Sequence, residues 1–230
     1  MRKKISELEK KINIRFNNQD VLKTAFVHRS YLNEHPKFEL DQNERLEFLG
    51  DAVIELIVTE YLYLNYQNPE GELTNWRASL VNAKMLAELA RELELESFLY
   101  LSRGEAKDNN LKARNYILAN TFEALIGAIY LDLGWDAAKE FVHKHLIIKL
   151  TQILATKSYL DPKSYFQEAA QEKTGVTPSY KVLEETGPDH AKHFRIGIFL
   201  DEELVAEGEG TSKQEAQVDA AKKAIEEKGW

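Results

Sequence analysis

Apolar residues recur along the first two thirds of this chain at the spacing of helices, and in the last third they change to an alternation. At 3.6 residues per turn, the pattern predicts helices over Ile5 to Lys11, Asp20 to Phe26, Leu46 to Tyr66, Thr74 to Leu93, Tyr116 to Leu131 and Trp135 to Leu154, with no strand pattern among them. The composition shifts near residue 155. After Asp161-Pro162 a helix from Lys163 to Lys173 precedes strand-like segments: Tyr180 to Glu185, then a run in which Phe194, Ile196, Ile198 and Leu200 point one way, then Leu204 to Glu209. A helix from Ser212 to Glu227 closes the chain. Helix, three strands and helix form an α+β module, so the expected organisation is a helical domain over residues 1–155, a short linker over 156–160 and a second domain over 161–228. No internal repeat or low-complexity tract interrupts it.

Inside the Leu46 to Tyr66 helix, Leu46, Leu49, Val53, Leu56 and Ile57 make one apolar stripe, expected to face a core. Glu44, Glu47 and Asp51 follow one edge of the same helix as a carboxylate ladder. Two readings stand: the acids form a solvated helix face, or their repulsion is relieved by a hard divalent cation such as magnesium, which prefers carboxylate oxygens. The segment from Ile117 to Leu131 weights the second. It is apolar nearly all round, as a buried helix would be, yet it carries Asn120 and Glu123 one turn apart. An isolated ionised glutamate there is costly to bury, so Glu123 is expected to face a partner. Packing the two helices together would join their oxygens in one divalent-metal site.

Composition narrows the classes. A chain of 230 residues, 43% hydrophobic, can bury a substantial core. The absence of cysteine excludes a disulfide scaffold and a thiolate metal site. No apolar run approaches the roughly 20 residues that span a bilayer, and the charged start from Met1 to Lys11 lacks the apolar core of a signal peptide, so a cytoplasmic location without membrane contact is expected. His143 and His145 fall on different faces of their helix, which argues against zinc. No nucleophile-elbow pattern follows a strand.

The segment NERLEFLGDAV, Asn43 to Val53, resembles the signature of the bacterial ribonuclease III endonucleases, which cut double-stranded RNA. AFVHRSYLNE (Ala25 to Glu34), EGELT (Glu70 to Thr74), RASLVN (Arg77 to Asn82), LSRGE (Leu101 to Glu105) and the helix around Glu123 resemble further motifs of that family, in order. The resemblance implies an all-α endonuclease domain followed by a small α+β double-stranded RNA-binding domain. It implies magnesium, with manganese as a plausible substitute, held by Glu47, Asp51, Asn120 and Glu123, with Asp51 and Glu123 as the catalytic acids. Asn120 stands where the family carries an aspartate. An amide oxygen can still ligate a hard cation but brings no charge, so metal affinity should fall. Glu44 and Glu70 resemble additional acids of the cleft, outer-shell or second-metal ligands, and Lys107 a lysine near the scissile phosphate. Phe48 resembles an interface aromatic, because the family works as a homodimer with one site per strand. The implied reaction is hydrolysis of double-stranded RNA to 5′-phosphate and 3′-hydroxyl ends with short 3′ overhangs, in ribosomal and messenger RNA processing.

The second domain resembles the double-stranded RNA-binding domain through Gln167-Glu168, the loop Gly187-Pro188-Asp189-His190, and the run from Gly208 to Lys213. Such domains read A-form shape through 2′-hydroxyl and phosphate contacts. The resemblance assigns RNA contacts to Gln167, His190, Ser212 and Lys213, besides Lys107 in the first domain. Charge opposes this. From Leu160 to Trp230 there are nine Lys and Arg against fifteen Asp and Glu, so six of the chain's eight net negative charges lie there, where a nucleic-acid binder would be basic. Gln214 and Gln217 replace lysines usual in the family, so RNA affinity should be weak and salt-sensitive, resting on Lys213 with Lys163, Lys192 and Lys222 as further candidates. Two rival readings follow: a non-cleaving or impaired RNA binder, favoured by Asn120, and an interaction protein that kept the fold, favoured by the acidic second domain.

Overall fold

A computed structural model describes residues 3–157, 159–188 and 191–230. The chain divides into two compact units, Met1–Tyr159 and Leu160–Trp230. Among the described residues the first unit is helical: α1 (Ile5–Ile12), α2 (Gln19–Thr24), α3 (Arg29–Glu34), α4 (Glu44–Asn65), α5 (Glu70–Leu80), α6 (Ala83–Glu92), α7 (Arg103–Lys107), α8 (Leu111–Leu133), α9 (Trp135–His145) and α10 (Leu150–Ala155), with 3₁₀ turns at Leu95–Phe98 and Ile147–Lys149. The second runs α11 (Pro162–Thr174), β1 (Ser179–Thr186), β2 (His193–Leu200), β3 (Glu203–Gly210) and α12 (Lys213–Lys228).

The α8 helix is the axis of the first unit. Leu118, Phe122, Leu125, Ile126 and Ile129 are fully buried, and α4, α6 and α9 pack around it. By length and composition α8 could cross a membrane, contrary to the expectation that no such run exists; Glu123 interrupts the apolar residues without ending the helix. Most of that run is buried inside the unit, so core packing accounts for its apolarity.

Three further expectations change. The segment Thr74 to Leu93 is two helices, because Asn82 leaves the helical backbone and its side chain accepts the Met85 N–H at 3.0 Å, capping α6. The segment Trp135 to Leu154 is α9, a 3₁₀ turn and α10. In both, apolar spacing continues across the break and hides it. Leu56, assigned to the core stripe, is 57% exposed. It belongs with Phe48, Ala52, Thr59 and Tyr63, all exposed at spacings of three or four residues, on a second stripe beside the acidic edge.

In the second unit, the Asp161 carboxylate accepts the Ser164 N–H at 3.0 Å and caps α11, with Pro162 at its first position. The antiparallel sheet has the order β1-β2-β3, with Val182 opposite Ile196 and Ile196 opposite Gly208. Phe194, Ile196, Ile198 and Leu200 all point to the helix-covered face and are buried. A Cβ on Gly208 would lie 2.1 Å from the Ala220 nitrogen, so β3 runs against the backbone of α12. Ala216, Ala220 and Ala224 leave room for that approach.

Candidate active site

The α4–α8 contact is made by backbone. A Cβ on Gly50 would lie 1.8 Å from the Glu123 carbonyl oxygen and 2.9 Å from the Gly127 nitrogen, and one on Gly127 would lie 2.2 Å from the Leu46 carbonyl oxygen. Only glycine fits at either position. Glu47 and Asp51 flank Gly50 on α4, while Asn120 and Glu123 occupy the turn of α8 before Gly127, so the crossing brings the two sets of side chains together.

Their electrostatics report the proximity. The half-buried Glu123 carboxyl is pushed up to about 8, first by burial and then by the charges of Asp51 and Glu47. Burial raises Glu47 as well, with Glu44 and Asp51 adding to the rise and a side-chain hydrogen bond from Asn120 acting against it. No lysine or arginine is among the groups that perturb either glutamate. Three carboxylates and an amide, without a cationic side chain, form a hard-oxygen donor set that suits magnesium. Among the described residues no three Asp, Glu, His or Cys side chains converge tightly enough to hold an ion as they stand. Carboxylates that repel one another gain from spreading apart until a cation offsets the repulsion.

The remaining acids divide. Glu44 is exposed, accepts a hydrogen bond from Gln42 at 3.0 Å and lies 3.8 Å from Arg29; its charge reaches Glu47. Glu70 opens α5 and accepts the Thr74 hydroxyl at 2.9 Å. It perturbs neither Glu47 nor Glu123 and lines a separate cavity of about 670 Å³ with Tyr63, Tyr66 and Arg77. Lys107 is exposed at the end of α7, in a segment fastened from both sides: the Ser102 N–H donates to Ser30 Oγ at 3.1 Å, the Arg103 N–H to the Glu34 carboxylate, and the Arg114 guanidinium to the Glu105 carbonyl at 2.9 Å. Phe48 is 81% exposed beside an apolar cavity of about 710 Å³ that includes Val21, Leu46, Leu49 and Leu131.

In the second unit Gln167 is exposed on α11. His190 lies outside the described residues. Ser212 is the N-cap of α12, its hydroxyl accepting the Glu215 N–H at 3.2 Å. Lys213 begins that helix with its ammonium 5.6 Å from the Phe194 ring centre. Gln217, partly exposed on α12, accepts a hydrogen bond from the Lys163 ammonium at 2.6 Å. Lys192 bonds Glu185 at 2.7 Å, and Lys222 is exposed.

Residues 18–150 match the family described as ribonuclease-III-like, and residues 162–228 match the double-stranded RNA binding motif. Over 223 residues the chain is 44% identical to Ribonuclease 3 of Oceanobacillus iheyensis, covering 96% of this chain and 97% of that one. The chain belongs to the ribonuclease III family. It is 40% identical over 226 residues to Ribonuclease 3 of Streptococcus equi subsp. zooepidemicus, covering 98% and 97% of the two chains. Among solved structures it resembles the ribonuclease III nuclease domain of Campylobacter jejuni, described with a flexible region involved in dimer formation, at 36% identity and a TM-score of 0.54 over 63% of this chain and 99% of that one. This ribonuclease III is therefore an endoribonuclease acting on double-stranded RNA, in a family that depends on divalent metal.

Two elements of the ribonuclease III site escaped the sequence reading. Gly50 and Gly127 set the distance between the acid-bearing helices, and a glycine in mid-helix, where it costs about 1 kcal/mol relative to alanine, was the available signal. The anchoring of the Lys107 segment by Ser30 and Glu34 joins residues some 70 positions apart and has no local pattern.

Proposed function

We propose that this ribonuclease III is a magnesium-dependent homodimer that hydrolyses duplex RNA to 5′-phosphate and 3′-hydroxyl ends with short 3′ overhangs, in RNA processing. The observation that carries the reading is the meeting of Glu47, Asp51 and Glu123 at the glycine crossing, where Glu123 is pushed up to about 8 with no cationic side chain among the groups that perturb it. Those three carboxylates would hold the metal, with Asn120 as a neutral fourth group and Glu44 and Glu70 as outer acids. When bound, magnesium supplies Lewis acidity, activating water and offsetting charge on the phosphate. The protein's own part is to bring the carboxylates together and aim them, while burial and mutual repulsion hold Glu123 and Glu47 above the usual carboxylate range until a cation offsets them. Asn120 contributes by hydrogen bonding to Glu47, and the crossing excludes side chains that would separate the helices. Lys107, on its fastened segment, would meet the RNA backbone in the first domain; Gln167, His190, Ser212 and Lys213 would do so in the second.

Dimerisation is supported by the exposed stripe of Phe48, Leu56 and Tyr63. An exposed aromatic beside an apolar cavity on the same chain provides knob and hole for a two-fold contact, in which each copy offers both. Two copies would present one acid site to each strand. Asn120 favours a second reading, in which the site binds metal weakly and cleaves slowly. The test is duplex RNA incubated over a magnesium series, with products analysed for terminal phosphate and overhang. Cleavage that ignores chelation of magnesium would overturn the metal assignment.

A further inference from the structure

The acidity of the second unit, nine Lys and Arg against fifteen Asp and Glu, is unexplained by its RNA-binding motif. Many of its basic side chains are matched to its own acids: Arg195 to Glu184 and Glu207, Lys223 to Asp219, Lys228 to Glu203. One such pair lies on the rim that joins the loop before β2 to the start of α12. Glu185, near the end of β1, is the ladder partner of Phe194 on β2, so their side chains leave the sheet on the same face. Phe194 packs on Ala216 of α12, which identifies that face as the helix-covered one. The Lys192 ammonium donates to the Glu185 carboxylate at 2.7 Å. Lys213 lies over the Phe194 ring at 5.6 Å, and its charge, after that of Lys192, holds the Glu185 carboxyl below its usual range. One carboxylate thus bonds one lysine of the rim and feels the charge of a second.

We propose that Glu185 is an intramolecular competitor for RNA phosphate: it engages Lys192 and attracts Lys213, so the unit binds duplex RNA more weakly, and with a shallower salt dependence, than its lysines alone would give. This rests on the reading of this rim, through Lys213 and Lys192, as a phosphate contact. A lysine already matched by a carboxylate neutralises little further charge on RNA and so releases few counterions. Bound RNA must also tolerate a carboxylate near its phosphates, a like-charge contact. The pair is partly exposed, 35% and 39% at the two side chains, so its removal should leave the fold intact.

The test uses the full chain, with EDTA present to prevent cutting, and a fluorescently labelled duplex RNA followed by anisotropy over a potassium chloride series. Glu185→Gln keeps the shape and removes the charge. It should bind about fivefold tighter at low salt, by the worth of one like-charge contact in water, and the slope of log affinity against log salt should steepen by about one. Lys192→Gln added to that variant should remove most of the gain. Equal or weaker binding by Glu185→Gln, or an unchanged slope, overturns the proposal; weaker binding would mean that the pair orders the rim for RNA. Lys213→Ala in the parent chain tests the underlying reading separately. If it weakens binding while Glu185→Gln changes nothing, Lys213 is a contact and the competitor is refuted. If it changes nothing while Glu185→Gln still tightens binding through Lys192, the competitor stands and the Lys213 reading fails.

Discussion

Substituting alanine for Gly50 should damage this enzyme out of proportion to one methyl group. The new Cβ would lie 1.8 Å from the Glu123 carbonyl oxygen, about 1.6 Å short of ordinary contact, which begins at 3.4 Å. The obstructing atoms are all backbone of α8, so no rotamer change relieves the overlap and α4 and α8 must separate. Overpacking a close-packed interior costs roughly 1–3 kcal/mol where side chains can give way; here they cannot. Alanine recovers about 1 kcal/mol of helix propensity, which leaves a net loss on the order of 2–4 kcal/mol. For a chain of this size each kcal/mol moves the midpoint by about 2–4 °C, so the helical domain should melt roughly 5–15 °C lower. Calorimetry of the metal-free protein reads this directly. Gly71→Ala is the control, because a Cβ on Gly71 meets nothing within 4 Å and should be neutral or slightly stabilising. Cleavage should fall with Gly50→Ala even below its melting point, since Glu47 and Asp51 move away from Glu123. A Gly50→Ala protein that melts with the parent and cleaves normally would refute the backbone contact and the account of how the acids are brought together.

Asn120→Asp should raise magnesium affinity and speed cleavage at limiting metal by adding a charged ligand; superimposable magnesium titrations of parent and variant would remove position 120 from the metal site. Glu123→Gln should abolish cutting yet keep duplex RNA binding, read by gel shift, because it removes a ligand and leaves the RNA-facing surface. Phe48→Glu should yield monomers in sedimentation, since a charge is placed where an apolar anchor is proposed, and an intact dimer would refute the interface. Glu94 is drawn down to about 2 by Lys3 and Lys11. Its folded pKa lies below the unfolded value, so its pairs stabilise the fold above the ordinary carboxylate pKa and lose that effect as pH falls towards about 2. Glu94→Gln should therefore melt below the parent at neutral pH and with it near pH 2, and a gap that persists in acid would show that the carboxylate charge is not responsible.

What the sequence by itself determined were the features carried by local period and by short-range order. The helical repeat of the first domain, the alternation of Phe194, Ile196, Ile198 and Leu200, and the succession of motifs from Asn43 to Lys213 were legible because each depends on neighbours a few positions apart. The same locality produced the misses. Val81 and Asn82 break a helix without breaking its apolar spacing, since the cap is made by one asparagine side chain. Leu56 is apolar on a helix that has two apolar stripes, and periodicity cannot say which one meets the core. The tertiary structure alone decided the geometry of the site. Glu47 and Glu123 are far apart in the chain, and the absence of two β-carbons lets their helices meet. It also decided the state of the lysines in the second unit. A count of charges shows only that the unit is acidic, whereas the ladder that sets Glu185 opposite Phe194 puts a carboxylate beside Lys192 and Lys213. Charge acts through space over a few ångströms, and that distance is set by the fold.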